Sequence, residues 1–200
     1  MKAELLILGV LHRGNFHPYE IKRRLRNALV ECYIDVDVGT LYYAIRRLEA
    51  DGLIEVEARE RVRRGGARTV YALTPAGRRR FQVLLTERFA AEGPVEQTLY
   101  AALLFLHLAD AAAVAPLLRA KLAGIEAGIE ELRRLQRQMA PVLSTGGRHL
   151  MKHLAARRRL DRRWLKRLIA DVAAGRVEDV ADPRRLAAAA RPPGGAKRGS

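Results

Sequence analysis

The chain has 200 residues, 49% of them hydrophobic, which is enough for a sizeable core and excludes disorder along its whole length. Its 37 lysines and arginines against 22 acidic residues leave a net charge of +15, which favours a polyanionic partner, nucleic acid ahead of an anionic membrane. A lone Cys32 and no Cys-x-x-Cys pair exclude an internal disulfide framework and a zinc finger, and a reducing cytoplasm is the expected home.

Residues 4–12 carry Leu5, Leu8 and Leu11 at helical spacing, with Gly14-Asn15 as the stop, and predict a first helix. The opening segment lacks the apolar length and small-residue cleavage site of a signal peptide, so none is expected. His17-Pro18 reads as a cap followed by proline at the first helical position, opening a second helix through Ile21 and Leu25 to about Leu29. The run 31–37 is ambiguous. Asp37 then caps a third helix whose buried stripe is Leu41, Ile45 and Leu48, stopped by Gly52.

After Gly52 the period changes to two. Ile54, Val56 and Ala58 alternate with charged residues, and Val70 and Ala72 alternate with Tyr71 and Leu73, which predicts a β-hairpin around Gly65-Gly66. Thr74-Pro75 repeats the signature of a cap followed by proline and opens a fourth helix through Phe81, Leu84, Leu85 and Phe89 to about Glu92. Gly93-Pro94 marks a joint. Residues 95–109 are apolar on nearly every side and predict one buried helix, too short to span a membrane.

Asp110 caps the next helix, in which Leu118, Leu122, Ile125, Ile129 and Leu132 step by four, three, four and three, the seam of a short coiled coil or helical hairpin. Pro141 and residues 144–147 end it, and a last long helix runs from Arg148 to about Ala174. Three domains are expected: a reader at 1–92, a helical dimerisation and effector domain at 93–180, and a basic, largely disordered tail at 181–200.

Three helices, a two-stranded hairpin with a charged tip and a further helix follow the order of a winged helix-turn-helix, so the expected fold class is mainly α with a small β-hairpin wing, followed by an all-helical region. The segments LLILGVLHRG, HPYEIKRRL, GTLYYAIRRLEADGLIE and GGARTVYALTPAGR closely resemble the N-terminal domain of PadR-type transcriptional regulators over residues 1 to about 92. Pro18 departs from the family, which usually has glycine after the histidine. The remainder resembles the family's C-terminal dimerisation region only in length and character. The resemblance implies a homodimeric repressor of a near-palindromic operator, released by a small, often aromatic molecule lodged between reader and dimerisation helices. Trp164 and Phe105 are the aromatic residues assigned to that pocket.

On the third helix Gly39, Thr40, Tyr42, Tyr43, Arg46 and Arg47 lie away from the leucine stripe and are the expected contacts to base edges and phosphates of double-stranded DNA. Arg63, Arg64 and Arg68 at the hairpin tip are expected on phosphate or in the minor groove. Lys22 is the expected backbone contact of the second helix, with Arg23, His17 and Tyr19 beside it, Tyr19 more in keeping with the core. Leu118, Leu122, Ile125, Ile129 and Leu132 are the expected dimerisation seam.

The reader, however, carries 17 basic and 12 acidic residues, hence +5, whereas the rest carries 20 and 10, hence +10. The arginines of 157–167 therefore form the wet face of a dimerisation helix, a second phosphate-contacting surface, or an amphipathic face on anionic lipid. His149 and His153 stand at i, i+4 without an acidic partner, so no metal is expected. No nucleophile motif, phosphate loop or paired-carboxylate constellation suggests an enzyme or a cofactor. The alternative to a DNA reader is a winged-helix protein-interaction or anionic-surface-binding module without sequence-specific readout.

Overall fold

The computed structural model describes residues 2–27, 38–62 and 66–178. The ambiguous run 31–37, the cap at Asp37, the hairpin-tip residues Arg63 and Arg64, and the tail at 181–200 lie outside them.

Helix α1 (Lys2–Leu11) is the centre of the reader. Its sequence pattern suggests one apolar face, yet Leu5, Leu6, Ile7 and Leu8 are all fully buried, because α2 (Pro18–Asn27), α3 (Val38–Ala50) and α4 (Pro75–Ala90) pack around it. α2 starts as the His17-Pro18 pair predicts. The Glu20 amide donates to His17 Nδ1 at 3.1 Å, so the imidazole takes the capping part usually played by a hydroxyl or carboxylate. α3 buries Leu41, Ile45 and Leu48, and Gly52, at φ +67°, supplies the left-handed residue that ends it.

Strands β1 (Ile54–Val62) and β2 (Gly66–Leu73) pair antiparallel from Ile54↔Leu73 to Val62↔Gly66. An irregularity between Val56 and Ala58 breaks the alternation, and Val56 is exposed rather than inward as its spacing from Ile54 suggests. Phe16 adds an isolated bridge to Tyr71 through two 3.1 Å backbone bonds, fastening the wing to the segment before α2. Thr74 caps α4, its hydroxyl accepting from the Gly77 amide at 3.0 Å, with Pro75 at the first turn.

The single helix expected over 95–109 is not formed. The chain makes two one-turn helices, α5 (Val95–Thr98) and α6 (Tyr100–Leu103), then a 3-10 turn at Leu106–Leu108. Tertiary packing overrides the local pattern: Leu99, Ala102, Phe105 and Leu106 are buried in different directions, and Phe105 reaches back over Gly9 of α1.

Asp110 caps α7 (Ala111–Met139), its side chain accepting from the Ala112 amide at 2.9 Å. α8 begins earlier than expected, at Thr145 rather than Arg148, because the Ser144 hydroxyl accepts from the Gly147 amide at 3.1 Å and takes both glycines into the first turn (Thr145–Ala173). The short connection folds α8 back on α7. One hydrophobic cluster runs from α1 through Phe81 and Phe89 to Leu118, Leu165 and Val172. The architecture is mainly α with a two-stranded wing: a winged helix-turn-helix followed by a helical hairpin.

Candidate nucleic-acid interface

With Leu41, Ile45 and Leu48 turned into the core, the opposite side of α3 presents Gly39, Thr40, Tyr42, Tyr43, Arg46 and Arg47 to solvent. Tyr43 is 62% exposed and Tyr42 40%, so neither ring is part of the packing. Arg47 lies 3.6 Å from Asp51 one turn on, a solvent-exposed pair that costs little to open. Six residues of one helix thus form a polar, cationic ridge on a rigid apolar base.

The wing holds that ridge in place. Tyr71, buried on β2, donates its hydroxyl to Glu49 Oε2 at 2.9 Å near the end of α3; burial, then the Glu49 bond, raises the phenol above its ordinary range. Thr74 Oγ1 donates towards the Gly52 and Leu53 carbonyls at 2.9 and 3.0 Å. Sequence reasoning missed both clamps, since Tyr71 reads there only as one residue in an alternating strand. Arg68 is exposed on β2 opposite Glu60, the one tip arginine of the three whose placement is described.

The start of α2 is arranged differently from expectation. Tyr19 is not core: it is 61% exposed, with its ring 6.2 Å from His17 and nearly parallel to it. Arg23 and Arg24 are tied to Glu20 at 2.8 and 3.0 Å, and Arg24 also lies 4.0 Å over the Phe16 ring. Burial would raise the Glu20 carboxyl, but the Arg23 hydrogen bond and the two arginine charges outweigh it and hold it low. Lys22 is half-buried.

Away from the reader, the end of α4, the joint and the hairpin enclose a cavity of about 660 Å³. Its wall is mostly apolar and small, with Ala90, Ala91, Gly93, Ala120 and Gly124 making room, and it carries Lys121, Arg157, Arg158 and Asp161. Lys121 Nζ donates to the Ala91 carbonyl and, at 3.4 Å, to Thr98 Oγ1; burial lowers its pKa, partly offset by Glu92. Arg157 pairs with Glu96, and Arg158 donates to the Gly128 carbonyl. Burial raises the Asp161 carboxyl, against the pull of Arg157.

Phe105 and Trp164, assigned to an effector pocket from the sequence, do not line this cavity. Phe105 is 5% exposed and stands edge-on to Phe81 at 5.7 Å, a core residue, while Trp164 packs half-buried against the same core. Of the expected dimerisation seam, Leu118, Ile129 and Leu132 are buried inside one chain and Leu122 and Ile125 partly so, because α8 folds back over them. Among the described residues no cluster of three or more His, Cys, Asp or Glu is placed to hold a metal, and no helix is long and apolar enough to cross a membrane.

The stretch that builds the reader, residues 7–83, matches the model of the transcriptional regulator PadR-like family. Over 43 residues the chain is 58% identical to the transcriptional regulator Rv3488 of Mycobacterium tuberculosis, a match covering 22% of this chain and 38% of that relative. The chain thus spans well under half of the curated relative it matches. It is also similar to the crystal structure of Bacillus subtilis PadR in complex with operator DNA, at 18% identity, covering 84% of this chain and 98% of that one, TM-score 0.39. A second structure, Bacillus subtilis PadR in complex with p-coumaric acid, is 17% identical, with 86% and 99% covered and a TM-score of 0.37.

Proposed function

We propose that this PadR-like chain is a cytoplasmic, sequence-specific DNA-binding transcriptional regulator that acts as a homodimer, a repressor released by a small aromatic effector. The observation that carries the reading is the exposed α3 ridge of Thr40, Tyr43, Arg46 and Arg47 standing on the buried Leu41, Ile45 and Leu48. A helix so mounted fits a major groove, where an arginine fork chelates guanine and a tyrosine or threonine bonds phosphate or touches a thymine methyl. Arg68 on the wing supplies a backbone contact, the role also proposed for Arg63 and Arg64 of the same hairpin tip.

The reader at 1–92 is held by the helical domain at 93–180. Self-association uses the far part of the hairpin, where Leu135, Met139, Val142 and Leu150 are 38%, 45%, 73% and 57% exposed, an apolar surface out of keeping with an isolated monomer. The seam of Leu118, Leu122, Ile125, Ile129 and Leu132 supports that surface from within. Two readers about 34 Å apart then match successive major-groove faces of a near-palindromic operator.

An aromatic acid suits the cavity at the joint: its ring meets the apolar wall and its carboxylate meets Lys121, Arg157 or Arg158. The p-coumaric acid complex of Bacillus subtilis PadR gives a first compound to test.

Binding-site selection on the purified protein, followed by two variants, tests the reading. Arg47→Ala relaxes preference at one base pair of each half-site by about 1–3 kcal/mol, whereas Arg68→Ala weakens all sequences alike and reduces the salt slope by about 1. Equal, sequence-independent loss from both variants refutes a reading helix at α3.

A further inference from the structure

Helix α8 is one-signed along its outer side. Taking 100° per residue, Arg148, Lys152, Arg159, Arg163, Lys166 and Arg167 fall within about 100° of arc, a stripe about 28 Å long. That arc is opposite Leu165 and Val172, which are buried in the core, and the four residues Lys152, Arg159, Arg163 and Arg167 are exposed. From 148 to 170 the stripe contains no acidic residue; Asp161, the one acid in that span, is on the inner side, lining the cavity.

Several surface cations elsewhere on the chain are paired, although among the described residues exposed arginines such as Arg46, Arg68 and Arg137 are not. Arg133 and Arg134 of α7 are bonded to Glu130 and Glu131, Arg23 and Arg24 to Glu20, and Arg80 to Glu4. On the stripe, Lys166 reaches Glu126 and Arg148 is bonded to the Leu143 carbonyl and Thr145. Lys152, Arg159, Arg163 and Arg167 make no ion pair among the described residues. Arg159, Arg163 and Arg167 repeat at i, i+4, i+8, a like-charge arrangement that works against the helix.

We propose that this stripe is a second nucleic-acid surface, binding the phosphate backbone of double-stranded DNA outside the segment read by α3. It extends the DNA-binding reading above to a different face of the molecule. The phosphates of duplex DNA give about one charge per 1.7 Å of axis, so a rod of four unpaired cations on this length scale finds a matching lattice without reading any base. A lipid surface fits less well. A helix lying on a bilayer buries a continuous apolar face in it, and on α8 Leu165, Leu168, Ile169 and Val172 are packed into the protein core, leaving Leu160 as the exposed large apolar side chain beside these four cations.

The test uses the full chain with Lys152→Gln, Arg159→Gln, Arg163→Gln and Arg167→Gln together, exposed helical positions where glutamine preserves the helix, as circular dichroism confirms. Binding to a 60-base-pair random-sequence duplex is followed against salt. The expected result is a slope of log affinity against log salt smaller by about 3, affinity at least roughly tenfold lower at low salt, and unchanged base preference in site selection. The same neutralisation in a Tyr43→Ala/Arg47→Ala chain takes a similar amount off the slope, which separates the two surfaces. A slope change without any selected site leaves the stripe standing and removes the α3 reading; a selected site with an unchanged slope overturns the stripe. Loss of sedimentation with phosphatidylglycerol vesicles, with duplex binding intact, overturns it in favour of lipid.

Discussion

Gly9→Ala puts one methyl group where the reader meets the joint. A Cβ at Gly9 would stand 2.4 Å from Cε1 and Cζ of Phe105 and 2.7 Å from Cδ1, against about 3.5–4.0 Å for carbon atoms in contact, so the ring must retreat by about 1 Å. It has nowhere easy to go. Phe105 is 5% exposed and edge-on to Phe81, whose other neighbour is the His12 ring at 4.4 Å. Overpacking of this kind costs about 1–3 kcal/mol, while replacing a helical glycine by alanine returns about 1 kcal/mol. The balance is a net loss of about 0–2 kcal/mol, at about 2–4 °C per kcal/mol a fall of up to several degrees in Tm. Calorimetry of four chains checks it: wild type, Gly9→Ala, Phe105→Leu and the double variant. In the Phe105→Leu background the methyl finds space, so Gly9→Ala becomes neutral or stabilising there, a coupling of about 1 kcal/mol or more. A rise in Tm from Gly9→Ala alone refutes the contact and with it the docking of the joint on α1.

Tyr71→Phe removes the bond to Glu49 and, with that bond partly open to water, costs about 1 kcal/mol in a thermal melt; an unchanged melt means the wing is not clamped to α3. His12 and His107 both sit below the ordinary 6.5, mainly through burial, with Arg78 and His107 adding to the effect at His12 and Arg13 at His107. The unfolded chain therefore takes up protons first as pH falls. Stability is complete above about pH 6.5 and declines below it towards the lowered folded values, a loss that should shrink in a His12→Gln/His107→Gln chain followed by melting between about pH 7 and 5.5. Met139→Asp with Val142→Asp places charges on the exposed far end of the hairpin and should halve the mass seen by light scattering without lowering Tm; a persistent dimer removes that surface from the interface.

Features decided within one turn of chain were legible in the sequence, and features decided across the fold were not. The α3 stripe, the Thr74-Pro75 start of α4 and the Asp110 cap each depend on neighbours three or four residues away, and each is where its spacing puts it. The joint is the opposite case. A run apolar at almost every position satisfies a continuous helix and a folded series of turns equally well, and Phe105 is drawn back to Gly9, some ninety residues earlier in the chain. The same holds for Tyr71 and Glu49, and for a cavity assembled from α4, the joint and both hairpin helices. The leucine seam carried its alternatives openly: the heptad-like steps suit a coiled coil between chains or a hairpin within one, and only the fold-back of α8 separates them.

In the proposed reading, the cavity couples effector to DNA surface through its cations. Its cations are occupied: Lys121 holds the Ala91 carbonyl and Thr98, Arg157 holds Glu96, and Arg158 holds the Gly128 carbonyl. Three of these four bonds end on residues 91–98, the segment leading out of α4, and so fix how the reader meets the hairpin. An anionic guest competes for the same donors. A carboxylate that draws Lys121 or Arg157 to itself frees Ala91 or Glu96, while the guest's ring is held by the apolar wall. Binding therefore shifts the arrangement only by the difference between a carboxylate and the protein's own acceptors as partners, and a neutral guest of the same shape leaves the bonds in place and shifts little. In the proposed reading, ring and charge have separate tasks, the first setting affinity and the second setting the coupling to the reader.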